Sequence, residues 1–170
     1  VDYPGKSRAA IWGDIDNDGW LDLYVGNTNE TNILYHSNGD GTFTNISVTA
    51  NVQSAGDVRS IMFADVNGDG LLDIYVANLS AQNRLYRNMG DNTFINIVFT
   101  SGTTDMQIAM GSIFFDYDND GDQDLYLTHD ANQPYILYRN DGVGNFTDVS
   151  EQAGVDYAGQ GMGVDVGDVN

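Results

Sequence analysis

Residues 14–22 read DIDNDGWLD, and two variants of this stretch follow, DVNGDGLLD at 65–73 and DYDNDGDQD at 116–124. Successive copies start 51 residues apart, and a truncated fourth copy, DVN, starts at Asp168, 52 residues beyond the third. A repeat of about this length is typical of solenoids, propellers and tandem arrays, in which each unit packs against the next. The chain is therefore expected to be built from repeated units.

Other segments recur in the same phase as the aspartate-rich stretch. ILYHSNGDGTF, RLYRNMGDNTF and ILYRNDGVGNF begin at Ile33, Arg84 and Ile136, and one extra residue in the third unit lies between Asp124 and Leu137. We therefore divide the chain into units at approximately 9–59, 60–110 and 111–162, with the start of a fourth unit at 163–170.

Each unit contains four short runs that are typical of β-strands. Apolar runs enter the aspartate-rich stretch (AAIWGD, SIMFAD, GSIFFD), and alternating runs leave it (LDLYVGN, LDIYVAN, QDLYLTH). A third run (NILYHS, NRLYRN, YILYRN) is followed by a glycine-rich turn and a fourth run (TFTNISV, TFINIVF, NFTDVS). No stretch is typical of a helix. The pattern predicts an all-β fold of β-propeller blades: three four-stranded antiparallel blades and the start of a fourth.

Three blades and a fraction do not close a propeller, because propellers typically have 4–8 blades. A fragment of this size would leave strand edges open, which is an aggregation hazard. The sequence therefore predicts part of a larger propeller or assembly, completed by more of the same chain or by further copies of it.

The aspartate-rich loops carry oxygen ligands in a fixed pattern. Counted from the first Asp, positions 1, 3, 5 and 9 are Asp or Asn, position 6 is Gly, and position 7 varies, which suits a backbone carbonyl ligand. Alternating hard oxygen donors around a sharp glycine turn are how a short loop wraps Ca²⁺. The predicted ligands, with position 7 acting through its carbonyl, are Asp14, Asp16, Asp18, Trp20 and Asp22, then Asp65, Asn67, Asp69, Leu71 and Asp73, then Asp116, Asp118, Asp120, Asp122 and Asp124.

A plain polar turn is the simpler explanation of each loop, because Asp, Asn and Gly are the commonest turn residues. The charge count argues against it, since the three loops hold four, three and five of the 25 acidic residues. Carboxylates about 4 Å apart repel by about 1 kcal/mol even at the dielectric constant of water. We therefore expect about three Ca²⁺ ions, one per complete loop. Mg²⁺ fits less well, because it takes few carboxylates and keeps its waters.

These loops differ from EF-hands, which need flanking helices and a bidentate Glu at position 12. Position 12 here is Val25, Val76 and Leu127, each inside a predicted strand. The Asp at position 9 is therefore expected to supply the second carboxylate arm.

Composition excludes several classes of partner. Six basic residues against 25 acidic ones give a net charge of −19, which argues against nucleic acid and against anionic membrane surfaces. No apolar run approaches the roughly 18 residues that membrane insertion requires. The chain has no cysteine, so disulfides, thiolate metal sites and cysteine nucleophiles are excluded.

No catalytic site is predicted, since no nucleophile elbow, zinc protease, P-loop or dinucleotide motif occurs. Of the two histidines, we interpret His36 as a solvated strand residue and place His129 in a loop beside Asp130. A repeated set of tyrosines predicts packing between blades rather than a platform for stacking sugars. It comprises Tyr24, Tyr75, Tyr126, Tyr35, Tyr86 and Tyr138.

Four N-x-[ST] sequons mark possible glycosylation sites. They begin at Asn29, Asn45, Asn78 and Asn145. The number is only a weak excess over chance, but it is compatible with a secreted glycoprotein.

The segments GDIDNDGWLDLYVGN, NRLYRNMGDNTF and FTDVSEQAGVDYAGQGMGVDVGDVN resemble FG-GAP/VCBS repeats, of the kind found in cartilage-acidic-protein-like and ASPIC-type bacterial proteins. The resemblance covers essentially the whole chain. It implies blades of a seven-bladed, integrin-α-type propeller with Ca²⁺ in the loop between the first two strands of each blade. It also implies a secreted or surface-exposed protein used for adhesion and for carbohydrate or protein binding.

Two classes of function remain from the sequence. The first is a calcium-binding extracellular β-propeller module that acts as a structural, adhesion or interaction scaffold, including as a building block of an assembly. The second is the non-catalytic propeller portion of a larger secreted enzyme, such as a polysaccharide lyase or a phospholipase.

Overall fold

The computed structural model describes residues 5–79 and 81–167, and its regular structure is almost entirely antiparallel β-sheet. In the first unit each strand pairs with the next one along the chain, so the four strands form one meander. These strands are β1 (Ser7–Gly13), β2 (Asp22–Thr31), β3 (Ile33–Ser37) and β4 (Phe43–Asn45).

The second and third units repeat this meander. The second consists of β5 (Ala55–Ala64), β6 (Asp73–Asn78), β7 (Arg84–Asn88) and β8 (Phe94–Asn96). The third consists of β9 (Ala109–Phe115), β10 (Asp124–His129), β12 (Ile136–Asn140) and β13 (Phe146–Asp148). The predicted all-β class and the three four-stranded antiparallel blades are confirmed, and we number the blades 1 to 3.

The third unit departs from the first two where the sequence has its extra residue. The connection between β10 and β12 contains a short strand, β11 (Gln133–Pro134), which pairs with β14 (Ala158–Gly159). A four-residue helix, α1 (Ser150–Ala153), follows β13 and ends at Gly154 in the left-handed conformation, with φ of 69°. The expectation of no helix is therefore wrong for this one turn. A helix of four residues is too short to show a periodicity in the sequence. Within the described ranges, no helix has the length and apolar character needed to cross a membrane.

The fourth unit is described only in part. Residues 163–167 form no strand, and the predicted fourth loop beginning at Asp168 lies outside the described residues. Val164 and Val166 line a hollow on blade 3 together with Ile113, Tyr126 and Leu137. The repeat boundaries drawn from the sequence stay a prediction.

The hydrophobic core lies between the blades. Alternation along β6 sends Ile74 and Val76 toward blade 1, where they join a cluster that includes the buried Tyr24 and Leu34. The intervening Tyr75 faces blade 3, in a second cluster. Each blade is therefore one layer of a stack, and β6 of the middle blade contributes to the core on either side.

Close packing of blades requires a small residue on β2. A Cβ added at Gly26 would lie 2.5 Å from Cγ1 of Val58 and 2.8 Å from Cδ1 of Ile61. Both neighbours belong to β5, the first strand of blade 2, so Gly26 lets the two sheets approach.

The predicted packing role of the tyrosines is confirmed for four of the six. Tyr24, Tyr75, Tyr86 and Tyr138 are buried in the two clusters between blades. Burial raises the pKa of each of these phenols above its ordinary value. Tyr24 donates its hydroxyl hydrogen to the carbonyl of Val52 at 3.1 Å, so its polar end is satisfied inside the core.

Backbone-directed hydrogen bonds close both seams between neighbouring blades. Asn88 of blade 2 donates through Nδ2 to the carbonyl of Ile15 at 2.7 Å, and Asn140 of blade 3 donates to the carbonyl of Val66 at 2.8 Å. Ile15 and Val66 each occupy position 2 of an aspartate-rich loop. Each of these loops is therefore bonded to the blade that follows it.

Candidate metal centre

The three aspartate-rich loops occupy the same place in each blade. Residues 14–22, 65–73 and 116–124 connect the first strand to the second, as β1 to β2, β5 to β6 and β9 to β10. We call them loops 1, 2 and 3. Position 1 follows the first strand directly and position 9 is the first residue of the second strand, so the sheet fixes both ends of the loop.

The carboxylate at position 1 organises each loop from within. Its two oxygens accept the backbone N–H groups of positions 5 and 6 at 2.8–3.2 Å in all three loops. The carboxylate at position 5 accepts the N–H of position 7 at 2.8–3.0 Å. These bonds curl the backbone so that the oxygen-bearing side chains share one side of the loop.

Two residues in each loop adopt the left-handed conformation. The glycine at position 6 was expected, and its φ is 90°, 84° and 96° in Gly19, Gly70 and Gly121. Position 4 was missed by the sequence analysis. Its residues Asn17, Gly68 and Asn119 have φ of 58°, 71° and 63°. The signal was present, because Asn and Gly are the residues that tolerate this conformation best.

The predicted ligands come together most completely in loops 1 and 3. In loop 1, carboxylate oxygens of Asp14, Asp16 and Asp18 lie within 4.8 Å of one another. In loop 3, the same holds for oxygens of Asp116, Asp118 and Asp124. In loop 2, Asn67 instead donates through Nδ2 to Asp69 at 2.9 Å. An all-oxygen donor set fits Ca²⁺ better than the metals that prefer nitrogen and sulfur ligands.

Position 9 is the most constrained residue of each loop. Asp22, Asp73 and Asp124 are 0%, 1% and 0% exposed. One oxygen of each accepts the N–H of position 2, and the other accepts the N–H of the last residue of the third strand, at 2.7–3.0 Å. These acceptor bonds tie the loop to two strands. The role of position 9 as a calcium ligand stays a prediction.

Burial of the position 9 carboxylates opposes their ionisation. Loss of solvent raises the pKa of Asp73 to about 6, with the charges of Asp69 and Asp65 adding to the effect. Loss of solvent also raises the pKa of Asp124, helped by Asp118 and Asp120. A cation in the loop would counter both causes.

The interpretation of His36 as a strand residue is confirmed, but the prediction that it is solvated is wrong. His36 is half-buried on β3, with Nδ1 2.9 Å from Oδ1 of Asp22 and 3.7 Å from Oδ2 of Asp16. Within the described part of the chain, the equivalent residues Arg87 and Arg139 form no ion pair with a loop carboxylate. Loop 1 therefore has a nitrogen group at its edge that sequence spacing did not reveal, since the two aspartates are 14 and 20 residues away.

The side chain at position 7 covers the hairpin between the third and fourth strands of its own blade. A Cβ added at Gly39, Gly90 or Gly142 would lie 3.0, 3.3 or 2.6 Å from the side chain of Trp20, Leu71 or Asp122, respectively. Position 7 therefore has a packing role besides the carbonyl role predicted for it.

His129 lies at the other end of the blade. It is the last residue of β10, fully buried, with Nε2 2.9 Å from Asp105 and Nδ1 2.6 Å from the carbonyl of Pro134. The prediction that it sits in a loop is wrong. The pair with Asp105 joins the start of blade 3 to its second strand, far along the strand from loop 3.

Three of the four predicted glycosylation sites are exposed. Asn29, Asn45 and Asn145 lie on the surface. Asn78 is 3% exposed, and its Nδ2 donates to the carbonyl of Gln82 at 3.0 Å. A glycan on Asn78 would require this amide to leave the fold.

Comparison with known proteins places the repeats in a family. A profile of the FG-GAP-like repeat matches residues 14–76, 65–127 and 116–170. Cartilage acidic protein 1 of Xenopus tropicalis is 31% identical over 135 residues, and that of Homo sapiens is 29% identical over 133 residues. Each alignment covers 76% of this chain and 20% of the relative, so the chain spans about a fifth of the length of these relatives.

One solved structure has a similar fold. It is an Agrocybe aegerita lectin described for its recognition of non-reducing terminal N-acetylglucosamine. The superposition has a TM-score of 0.51 and 22% sequence identity, and it covers 82% of this chain and 36% of the lectin chain.

The two kinds of loop aspartate are expected to respond differently to substitution. Asp22→Ala leaves the buried N–H groups of Ile15 and Ser37 without an acceptor, so it should lower the free energy of unfolding by about 2–5 kcal/mol even in EGTA. Asp18→Ala removes an exposed carboxylate and should cost less than about 1 kcal/mol in EGTA. Urea unfolding of both variants without Ca²⁺ measures the difference. Equal losses would mean that position 9 has no structural role of its own.

Proposed function

Because the chain belongs to the FG-GAP-like repeat family, we propose that it is a calcium-binding, extracellular β-propeller module that acts as a structural, adhesion or interaction scaffold. The observation that carries this proposal is the convergence of loop carboxylates around the same backbone turn in blades 1 and 3. The protein is secreted or displayed at the cell surface, and its ligand is a protein or a carbohydrate. The alternative is the non-catalytic propeller portion of a larger secreted enzyme, such as a polysaccharide lyase or a phospholipase.

Calcium relieves the main electrostatic cost of the fold. One Ca²⁺ in each loop brings the net charge from −19 to −13 and turns repulsion among neighbouring carboxylates into attraction. Positions 1, 3, 5 and 9 would supply side-chain oxygens, and position 7 a carbonyl. Binding is therefore coupled to stability, because the unfolded chain does not hold these oxygens together.

The expected affinity supports the proposed location. Loops without Glu at position 12 should bind in the range of extracellular modules, roughly 10⁻⁴–10⁻³ M. Such loops stay empty at cytosolic calcium concentrations and fill outside the cell.

Removal of calcium should lower the melting temperature. At a calcium concentration 100 times the dissociation constant, each site adds about 2.7 kcal/mol to the free energy of unfolding. Substitution of the position 5 aspartate should remove the stabilisation from one site only, as in Asp18→Ala, Asp69→Ala or Asp120→Ala. Asp40→Ala, in an exposed hairpin, should leave the stabilisation by calcium unchanged. Thermal melts in Ca²⁺, in EGTA and in Mg²⁺ test the proposal. It fails if EGTA leaves the melting temperature unchanged or if Mg²⁺ restores it as well as Ca²⁺.

The carbohydrate class of ligand is supported by a cleft on blade 3. This cleft has a volume of about 370 Å³ and is lined in part by Gln107, Tyr135, Asp148, Glu151 and Asp156. An aromatic ring beside carboxylates and amides suits a neutral ligand rich in hydroxyl groups. The lectin with the similar fold recognises terminal N-acetylglucosamine, which makes sugars of this kind the first candidates.

A glycan array tests this ligand class. We expect binding to at least one terminal sugar. Tyr135→Ala should weaken this binding about tenfold, because it removes an aromatic contact of about 1–1.5 kcal/mol. Phe99→Ala, which truncates an aromatic side chain that is 70% exposed on blade 2, is the matched control. An array without any bound glycan would favour a protein ligand.

Blade 1 has an apolar side that suits a further blade. Phe63 and Phe114, at the position of Trp12 in the later units, pack into the clusters shared with the preceding blade. Trp12 itself is 52% exposed and contacts Phe43, with ring centroids 5.8 Å apart. We infer that another blade, from the same protein or from a further copy, covers this side.

Sedimentation of the 170-residue chain tests the inference about assembly. We expect self-association that Trp12→Glu weakens, because the charge would have to be buried at the new seam. Phe99→Glu, on a side chain that is already 70% exposed, should have no such effect. A stable, soluble monomer of the unaltered chain would contradict completion by further copies.

A further inference from the structure

We infer that Asn17 and Asn92 couple the cation sites of loops 1 and 2, so that filling one loop favours filling the other. This inference rests on the proposed binding of calcium and adds a link between two of its sites. It identifies two positioning residues, one of them outside the loops.

The stronger link comes from the hairpin between β7 and β8 of blade 2. Asn92 donates through Nδ2 to Oδ2 of Asp16, the position 3 carboxylate of loop 1, at 3.2 Å. Oδ1 of Asn92 is buried and has no hydrogen-bond partner within the described part of the chain. The amide is therefore held by its bond to Asp16, and a cation that fixes Asp16 also fixes Asn92.

The same hairpin contacts loop 2. Gly90, two residues before Asn92, lies under the side chain of Leu71. A Cβ added at Gly90 would lie 3.3 Å from Cδ1 of Leu71. Leu71 is position 7 of loop 2, whose carbonyl is a predicted ligand. A continuous path of contacts therefore runs from the Asp16 carboxylate through one hairpin to the neighbouring loop.

A second bond joins the loops directly. Asn17, at position 4 of loop 1, donates through Nδ2 to the carbonyl of Gly70, at position 6 of loop 2, at 3.0 Å. Both residues are in the left-handed conformation that shapes the loops, with φ of 58° and 84°. When one loop closes around a cation, it therefore holds the hydrogen bond between Asn17 and Gly70 in place. That bond in turn favours the closed arrangement of the other loop.

The seam between blades 2 and 3 provides an internal comparison. It keeps the bond common to both seams, from Asn140 to the carbonyl of Val66. The positions of Asn17 and Asn92 are taken there by Gly68 and Gly144, which have no side-chain donor. The additional coupling is therefore specific to loops 1 and 2.

Trp20 provides a reporter for loop 1, because it occupies position 7 and Trp12 is the other of the two tryptophans. With Trp12→Phe as background, a calcium titration followed by Trp20 fluorescence gives the midpoint of loop 1. Asp69→Ala, which disables loop 2, should raise this midpoint about three- to tenfold, the effect of one or two hydrogen bonds. In chains that also carry Asn17→Gly and Asn92→Gly, Asp69→Ala should raise the calcium midpoint of loop 1 less than about twofold.

Asn51→Gly is the matched control. Asn51 also has a positive φ and also donates across the seam between blades 1 and 2, to the carbonyl of Phe94 at 3.3 Å, but it touches neither loop. It should leave the three- to tenfold effect intact. Asp69→Asn, checked by circular dichroism, replaces Asp69→Ala if the latter does not fold.

The outcomes separate the two proposals. A chain that shows no calcium response by fluorescence or by melting contradicts the proposed function itself. A chain that binds calcium with the same loop 1 midpoint before and after disabling loop 2 contradicts the coupling alone. An unchanged effect of Asp69→Ala in the Asn17→Gly, Asn92→Gly background would show that the coupling does not run through these asparagines.

Discussion

The buried carboxylate at position 9 is the interaction on which the rest of each blade depends. Asp22, Asp73 and Asp124 accept one N–H from the start of the loop and one from the end of the third strand. A single side chain thereby sets the loop, the second strand and the third strand in one arrangement. Burying a carboxylate is costly unless it is hydrogen-bonded, and each of these is.

The same arrangement extends from blade to blade. Asn88 donates its backbone N–H to Asp73 from the end of the third strand, and its side chain donates to the carbonyl of Ile15 in loop 1. Asn140 repeats this with Asp124 and Val66. The acidic loops therefore lie at the seams of the stack. A cation bound in such a loop would stabilise the contact between neighbouring blades as well as the strands of one blade.

The two ends of the blades serve different purposes in this scheme. The loop end carries the concentrated negative charge and repeats closely from unit to unit. The opposite end varies, and among the described residues the buried pair of His129 and Asp105 and the short strands β11 and β14 are found only at blade 3. Function built on a repeated scaffold is expected where the repeats differ, and the proposed ligand cleft lies in that variable third unit.

The sequence by itself determined the blades and the aspartate-rich loops, because both depend on short-range patterns. Alternation over a few residues defines the strands, and the spacing of Asp and Gly from Asp14 to Asp22 defines the loop, so FG-GAP-like repeats were recognisable directly. Only the tertiary structure decided what surrounds the loops. His36 meets Asp22 because β3 pairs with β2 within blade 1, and Asn92 meets Asp16 across 76 residues of chain because neighbouring blades stack face to face. Contacts between blades depend on how the layers pack, and no local spacing encodes them.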